Sequence, residues 1–193
     1  NYNVNDNINV FFNAGALSIA PNFRSVYLNY NNTVNPEAKN EDISSVEIGL
    51  GYVNPSLSLF GQNMAYKLNV NFYNTYWQNK QLVKTANDLI YNIEGINAIH
   101  SGIEVESRLG LMDGDLDVYG ILALGNWEWE NDVIASVTSD YDRSGPAYDV
   151  EIYAGGLPVG DAPQTQVVLG ARYLAPFGLV VNPVFKLFDK HYA

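Results

Sequence analysis

The chain contains no cysteine and only two histidines among its 193 residues. The lack of cysteine excludes disulfide-bonded scaffolds, thiolate metal sites and cysteine nucleophiles. Two histidines leave little for a histidine-built metal centre, and we predict no metal ion and no cofactor. Lys and Arg number 10 against 21 Asp and Glu, which gives a net charge of -11. Such a chain has no basic surface to neutralise phosphates, so its composition argues against nucleic-acid binding.

Charged residues are also few, at 16% of the chain against roughly 25% in an average soluble domain. No apolar run reaches the roughly 18 residues that a membrane-spanning helix needs. The sequence holds no serine nucleophile elbow, no phosphate loop and no HExxH motif. These missing motifs leave no catalytic residue to name, and we expect a protein that is not an enzyme. Glu104 and Glu106 share one strand face and leave a paired-carboxylate hydrolase open, but two carboxylates on one strand are too common to indicate glycosidase chemistry.

Hydrophobic residues alternate with polar ones instead of following a helical period. From Met64 to Phe72 every second residue is apolar, whereas Lys67, Asn69 and Asn71 lie between them. This alternation indicates a strand with one apolar and one polar face. It predicts strands near 8–18, 43–53, 64–78, 98–110, 115–130, 164–175 and 178–190.

The connections between these strands are sorted by length. Long connections at 19–42, 79–97 and 131–163 alternate with shorter ones. Short turns at one end and long loops at the other are typical of an outer-membrane β-barrel, and an ordinary sandwich has no reason to sort its loops. Several alternating runs exceed ten residues, as a tilted membrane strand requires. We therefore predict an all-β, antiparallel transmembrane β-barrel segment of about seven or eight strands.

Aromatic residues lie near the predicted strand ends. Tyr76 and Trp77 end one strand towards a long loop, and Trp127 and Trp129 end another. Amphipathic rings collect at the headgroup level in membrane barrels, so this placement predicts aromatic belts facing the lipid. Asp113 and the glycine after it lie between two alternating runs, which predicts a hairpin turn and not a calcium loop.

Four stretches resemble the β-barrel of TonB-dependent outer-membrane receptors. Residues 35–49 resemble the family's N-P-x-L-K-P-E…S-x-E-x-G stretch, and 69–80 its N-x-Y-x-x-x-W-x-N strand. Residues 100–106 are similar to h-x-G-h-E-x-E, and 163–173 to P-x-x-x-x-x-L-G-x-x-Y. The order and spacing match as well. Ala38 and Asn40 depart from the family's usual Leu and Pro.

The resemblance implies a function and a place in the cell. Such receptors lie in the bacterial outer membrane, in contact with its lipid. They import a scarce ligand, such as a ferric siderophore, cobalamin or a glycan, with energy delivered through TonB, ExbB and ExbD. Some work with a surface lipoprotein. The match covers residues 1–193 as an internal piece from the later half of a barrel of about 22 strands. The plug domain is expected to lie outside this chain.

The resemblance also implies where a ligand meets the chain, since the three long loops would face outwards. Carboxylates and aromatic side chains in these loops suit a sugar or a cation, and arginines suit an anionic chelate. The candidate ligand-binding residues are Phe23, Arg24, Tyr27, Tyr141, Arg143 and Tyr148. The residues predicted to face the lumen are Glu47, Lys67, Asn69, Asn71, His100, Glu104, Glu106 and Arg108.

Two other classes of protein remain open at this point. A passive, porin-like barrel shares the alternation but has no plug. A secreted carbohydrate-binding β-sandwich would expose Trp127 and Trp129 on a water-soluble surface. Solubility without detergent separates the sandwich from both barrels.

Overall fold

A computed structural model describes residues 1–27, 32, 34–59, 61–142, 146–160 and 162–192. The strands and the one α-helix of these residues are β1 (Tyr2–Asn3), β2 (Ile8–Ile19), α1 (Phe23–Val26), β3 (Glu41–Leu59), β4 (Gln62–Ala86), β5 (Leu89–Leu111), β6 (Leu116–Trp129), β7 (Val133–Ser139), β8 (Tyr148–Ile152), β9 (Thr165–Leu174), β10 (Val180–Val181) and β11 (Val184–Asp189).

All eleven strands belong to one antiparallel sheet. The wall runs in the order β1, β2, β3, β4, β5, β6, β9, and both β10 and β11 pair with β9. Strands β7 and β8 continue the sheet from the far end of β5. Among the described residues no pairing joins β2 to β11, so the sheet is open. The predicted fold class, an antiparallel β-barrel segment, is confirmed.

The strand register gives the wall one apolar face. One row crosses seven strands without interruption: Val10, Leu50, Val70, Val105, Leu122, Val167 and Leu187. The next row continues with Phe12, Ile48 and Phe72, whose side chains are 64%, 57% and 51% exposed. Large apolar side chains stay exposed over such an area where the surrounding solvent is lipid. The wall therefore has one continuous, exposed apolar face.

Strands β4 and β5 are far longer than predicted. The region 79–97 was expected to be a loop, but paired strand continues to Ala86 and resumes at Leu89. Asn87 and Asp88, with φ of 50° and 59°, form the two-residue connection. Positive φ at both central residues is what a hairpin turn of the primed type requires. The loop prediction was therefore wrong.

The predicted loop 131–163 also contains regular structure. Its strands β7 and β8 pair with each other, and β7 pairs with residues 89–93 of β5. The outer parts of β4 and β5 thus form a four-stranded outer sheet with β7 and β8. Its small core holds Ile96, Val133 and Ala154, with four partly buried side chains packed against them: Leu82, Ile93, Trp129 and Ile152.

The predicted hairpin at Asp113 is present, whereas the last predicted strand is interrupted. Leu111 pairs with Leu116 across a short 3-10 turn at Met112–Gly114, so the hairpin predicted around Asp113 is confirmed. The strand predicted at 178–190 is interrupted between β10 and β11 at Pro183, which has no N–H to donate to the ladder. Its carbonyl still accepts the Ala171 N–H at 3.1 Å.

Glycines on the polar face are covered by rings from the neighbouring strand. Tyr73 lies over Gly102, its partner in the register, and Tyr119 lies over Gly170 in the same way. A Cβ at Gly102 would overlap the Tyr73 ring and stand 2.8 Å from the Leu124 carbonyl oxygen. Because these glycines have no side chain, the two tyrosine rings can lie flat against the backbone of the wall.

We predict that Gly102→Ala destabilises the barrel by about 1–3 kcal/mol, the usual cost of overpacking. The backbone oxygen of Leu124 cannot move aside without breaking the ladder. Urea unfolding of the detergent-solubilised protein measures this change. Gly15→Ala on the same face is the matched control, because no atom lies within 4 Å of its added Cβ. Equal unfolding midpoints for both variants would contradict the packing argument.

Candidate ligand-facing surface

The face opposite the apolar rows carries amides and carboxylates in register. Asn71 lies opposite Glu104, and Asn69 lies opposite Glu106, to which its amide donates at 3.4 Å. These side chains border an open cavity of about 490 Å³. Within the described part of the chain, the Asn71 Oδ1 atom is buried and has no hydrogen-bond partner. The arrangement offers acceptors to a polar surface or ligand that covers the wall.

A basic band lies closer to the short turns on the same face. Lys67 pairs with Arg108 in the register, and both side chains are exposed. The Arg108 guanidinium donates two hydrogen bonds to Asp117, at 2.9 and 3.2 Å. Exposed ion pairs add little to stability. This band therefore affects the potential of the face more than the stability of the fold.

The other two residues predicted for this face lie nearer the outer end. Glu47 pairs with Tyr73 and accepts a 2.9 Å hydrogen bond from the Asn13 amide. His100 pairs with Thr75 on β4 and Trp127 on β6. All eight residues predicted to face the lumen thus share one face of the sheet.

Three rings form a line across β4, β5 and β6 at the outer end of this face. We call Trp77, His100 and Trp127 the aromatic shelf. The ring centroid of His100 lies 6.5 Å from that of Trp77 and 5.6 Å from that of Trp127. The plane of the His100 ring is tilted by 46° from that of Trp77 and by 53° from that of Trp127. All three side chains are half-buried.

The two indole N–H groups of the shelf are bound by the protein itself. Trp77 Nε1 donates to Glu41 at 2.8 Å, and Trp127 Nε1 donates to the Tyr73 hydroxyl at 3.0 Å. The Lys80 ammonium lies 3.3 Å from the Trp77 ring centroid, a cation–π contact. With their N–H groups occupied, the two indoles present their ring faces.

The shelf corrects the prediction of a lipid-facing tryptophan belt. Trp77 lies on the polar face with Lys67 and Asn69, since all three have odd numbers in one strand. Trp129 pairs with Ala98 and packs in the core of the outer sheet. Of the four residues named above for the belts, Tyr76 alone lies on the apolar face, where it pairs with Ile99. The rule of alternation could have found this, because it applies to aromatic residues as well.

An outer cleft lies where the 34–40 segment crosses the outer sheet. Two adjoining cavities of about 320 and 270 Å³ share Glu37, Glu94 and Ile134 as lining residues. The Asn35 amide donates to Glu94 at 2.7 Å and to the Ser25 carbonyl at 3.0 Å. The segment is thereby fastened both to the sheet and to the helix α1.

Gln81 on β4 joins the two ends of the connection 19–42. Its buried side chain accepts from the Asn22 N–H at 3.3 Å and donates to the Lys39 carbonyl. Its backbone N–H donates to Glu41 at 3.1 Å. The sequence analysis missed Gln81, because no motif or alternation distinguishes this glutamine from the other polar residues near it.

The Glu94 carboxyl has a perturbed acidity. Burial raises its pKa above the usual range, and the Glu37 charge adds to the rise, whereas the hydrogen bond from Asn35 opposes it. Ionised Glu94 is therefore disfavoured in the fold relative to the unfolded chain.

The predicted ligand-binding residues are divided between two places. Phe23, Arg24 and Tyr27 lie on or just after α1, with the Phe23 and Tyr27 rings 4.9 Å apart. Tyr141 follows β7 and Tyr148 begins β8, and both side chains are exposed. Helix α1 is held against β4, which β5 and β7 separate from β8 in the outer sheet. The structure does not gather these residues at one point, and Arg143 lies outside the described residues.

Among the described residues, neither a membrane-spanning helix nor a metal-binding cluster is present. None of the helices there is long and apolar enough to cross a membrane. No group of three or more His, Asp or Glu side chains in these residues is arranged to hold a metal ion.

Comparison with known families agrees with the geometry of the wall. The sequence model of the family described as TonB dependent receptor-like, beta-barrel, matches residues 1–191. The chain belongs to this family. No curated protein and no solved structure matches it. Members of this receptor family are outer-membrane receptors and transporters, which is the general role of the wall described above.

We predict that Gln81→Ala loosens the connection 19–42 of this receptor barrel without unfolding the wall. The variant loses the side-chain bonds to Asn22 and Lys39, which hold both ends of the connection. Limited proteolysis of the solubilised protein measures the change as faster cleavage within 19–42. Gln78→Ala, an exposed glutamine on the same strand, should leave the cleavage rate unchanged. Slow cleavage in both variants would show that Gln81 does not hold the connection.

We predict that Glu94→Gln stabilises the outer sheet at neutral pH. A raised folded-state pKa gives stability that is complete below the ordinary glutamate pKa and is lost as the pH rises through the folded-state value. The glutamine mimics the protonated form and keeps an oxygen that accepts from Asn35.

The measurement is hydrogen exchange of residues 89–93 from acid to neutral pH. The variant should exchange more slowly than the wild type at neutral pH and equally at acid pH. Glu130→Gln, at an exposed carboxylate, is the control and should match the wild type. Faster exchange in Glu94→Gln at every pH would contradict the predicted sign.

Proposed function

We propose that this chain supplies barrel wall, lumen surface and ligand-facing loops to a receptor that imports a scarce ligand with energy from TonB, ExbB and ExbD. The observation that carries the proposal is the two-faced wall of seven strands. Its apolar rows are continuous, and its other face carries the amide, carboxylate and basic rows described above. A wall with lipid on one side needs a polar lumen on the other.

Two features support a plugged receptor over a passive pore. The motifs at 35–49, 69–80, 100–106 and 163–173 follow the order of the receptor family, and the family match spans them all. The polar face also presents the exposed carboxylates of Glu104 and Glu106 beside the Asn69 amide, around an open cavity of about 490 Å³. These groups can form hydrogen bonds with a polar plug domain that lies against the wall.

The outer sheet, α1 and the 34–40 segment then lie on the extracellular side. They stand at the end of the wall away from the short turn at Met112–Gly114. The ligand belongs to one of three classes: a ferric siderophore, cobalamin or a glycan. A surface lipoprotein is the further partner if the ligand is a glycan.

The test uses the whole receptor in outer membranes, run on a denaturing gel with and without boiling. We expect a band several times heavier than 21.4 kDa whose mobility changes on boiling. Planar bilayers containing the purified receptor should show no steady conductance, because the plug closes the lumen. An open conductance would favour a porin, and a soluble band near 21.4 kDa without a heat shift would favour a sandwich.

A matched pair of variants tests which face meets the lipid. Val70→Lys introduces a charge into the apolar row and should cost about 2–4 kcal/mol at the bilayer midplane. The heat-shifted band should be lost or strongly reduced. Asn69→Lys, one residue earlier on the polar face, should assemble as the wild type does. The opposite result would mean that the lumen and the lipid faces have been exchanged.

A further inference from the structure

The rings of the aromatic shelf stand on the polar face, at the point where the wall meets the outer sheet. On this face the shelf lies on the outer side of the rows of Asn71 and Asn69, next to the outer sheet.

The two indoles of the shelf offer ring faces rather than donors. Both indole N–H groups are bound by Glu41 and Tyr73. A ring face carries partial negative charge and attracts the weakly positive C–H groups of a ligand laid flat on it. Recognition at the shelf therefore depends on a flat ligand surface.

The charges at Trp77 compensate one another. Glu41 accepts the indole N–H, and the Lys80 ammonium lies over one face of the same ring. Because these opposite charges lie together, the shelf offers no single charge to select an ion, and stacking of an uncharged ligand on the ring faces needs none.

The surface below the shelf is suited to hydroxyl groups. The row of Tyr73 and Gly102 is flat, and the rows beneath it present Asn71, Glu104 and Glu106. Carboxylates accept hydrogen bonds from hydroxyls, and amides both donate and accept. Flat C–H faces next to hydroxyls describe one class of compound above all, the saccharides.

We propose that the aromatic shelf of Trp77, His100 and Trp127 is a stacking site for an uncharged saccharide. This inference rests on the proposed import function, because it takes the polar face as the lumen surface. It selects the glycan among the three ligand classes.

The test measures binding to the whole receptor in detergent by calorimetry and tryptophan fluorescence. The probes are four neutral oligosaccharides (of maltose, cellulose, xylan and mannan type), a ferric tricatecholate, ferric citrate and cyanocobalamin. We expect binding of a neutral oligosaccharide. Trp127→Ala and Trp77→Ala should each weaken it by roughly tenfold, the effect of losing one stacked ring.

Two further variants separate stacking from folding. Trp127→Phe keeps a ring face but loses the hydrogen bond to Tyr73, and it should retain most of the affinity. Tyr76→Ala removes a neighbouring ring on the apolar face and should bind as the wild type does. Each variant is used only if its boiled and unboiled bands match those of the wild type.

The inference is overturned if only the iron chelates or cyanocobalamin bind, if no probe binds, or if saccharide affinity survives both tryptophan-to-alanine changes. Its failure is distinguishable from failure of the proposed function. A heat-shifted, non-conducting receptor that binds a ferric chelate still imports by the proposed route. An open conductance overturns the import proposal whichever probe binds.

Discussion

Backbone pairing inside a lipid bilayer is the constraint on which the rest of this structure depends. No water is available in hydrocarbon, so each N–H and C=O of the wall must bond to the neighbouring strand. Pairing fixes the register, and the register couples the faces of all seven strands. Val70 therefore cannot face lipid unless Asn69 and Asn71 face away from it, and the same parity places Glu104 and Glu106 beside them.

The same register places the rings that line the polar face. Gly102 lies opposite Tyr73 and leaves room for its ring to lie flat against the wall. In that position the Tyr73 hydroxyl accepts the indole N–H of Trp127 at 3.0 Å. The absence of a side chain at Gly102 on β5 thus leaves room for the Tyr73 ring, whose hydroxyl positions the Trp127 ring on β6. The aromatic shelf depends on the glycine row below it as much as on its own residues.

The sequence predicted the wall well, because a surface with lipid on one side leaves a clean alternation. It predicted the outer sheet poorly, because both faces of β5 are at least partly buried there. Ile90 and Asn92 are buried on one face while Tyr91 and Ile93 are partly buried on the other, so no alternation is visible there. The alternation along each strand already assigns Trp77, Trp127 and Trp129 to the polar face, but the prediction of lipid-facing belts did not apply it. The bonds of Gln81 and Asn35 could not be predicted, since they join residues that lie far apart in the chain.

One carboxylate connects the wall to the outer region. Glu41 accepts the Trp77 indole N–H through Oε2 and the Gln81 backbone N–H through Oε1. Gln81 in turn holds both ends of the connection 19–42, whose segment 34–40 borders the outer cleft. Because β4 continues from the rows of the wall into the outer sheet, one strand carries both Trp77 of the shelf and the Gln81 side chain that holds the connection 19–42. The Glu41 carboxylate bonds to both of these residues, so the shelf and the connection 19–42 share one set of hydrogen bonds.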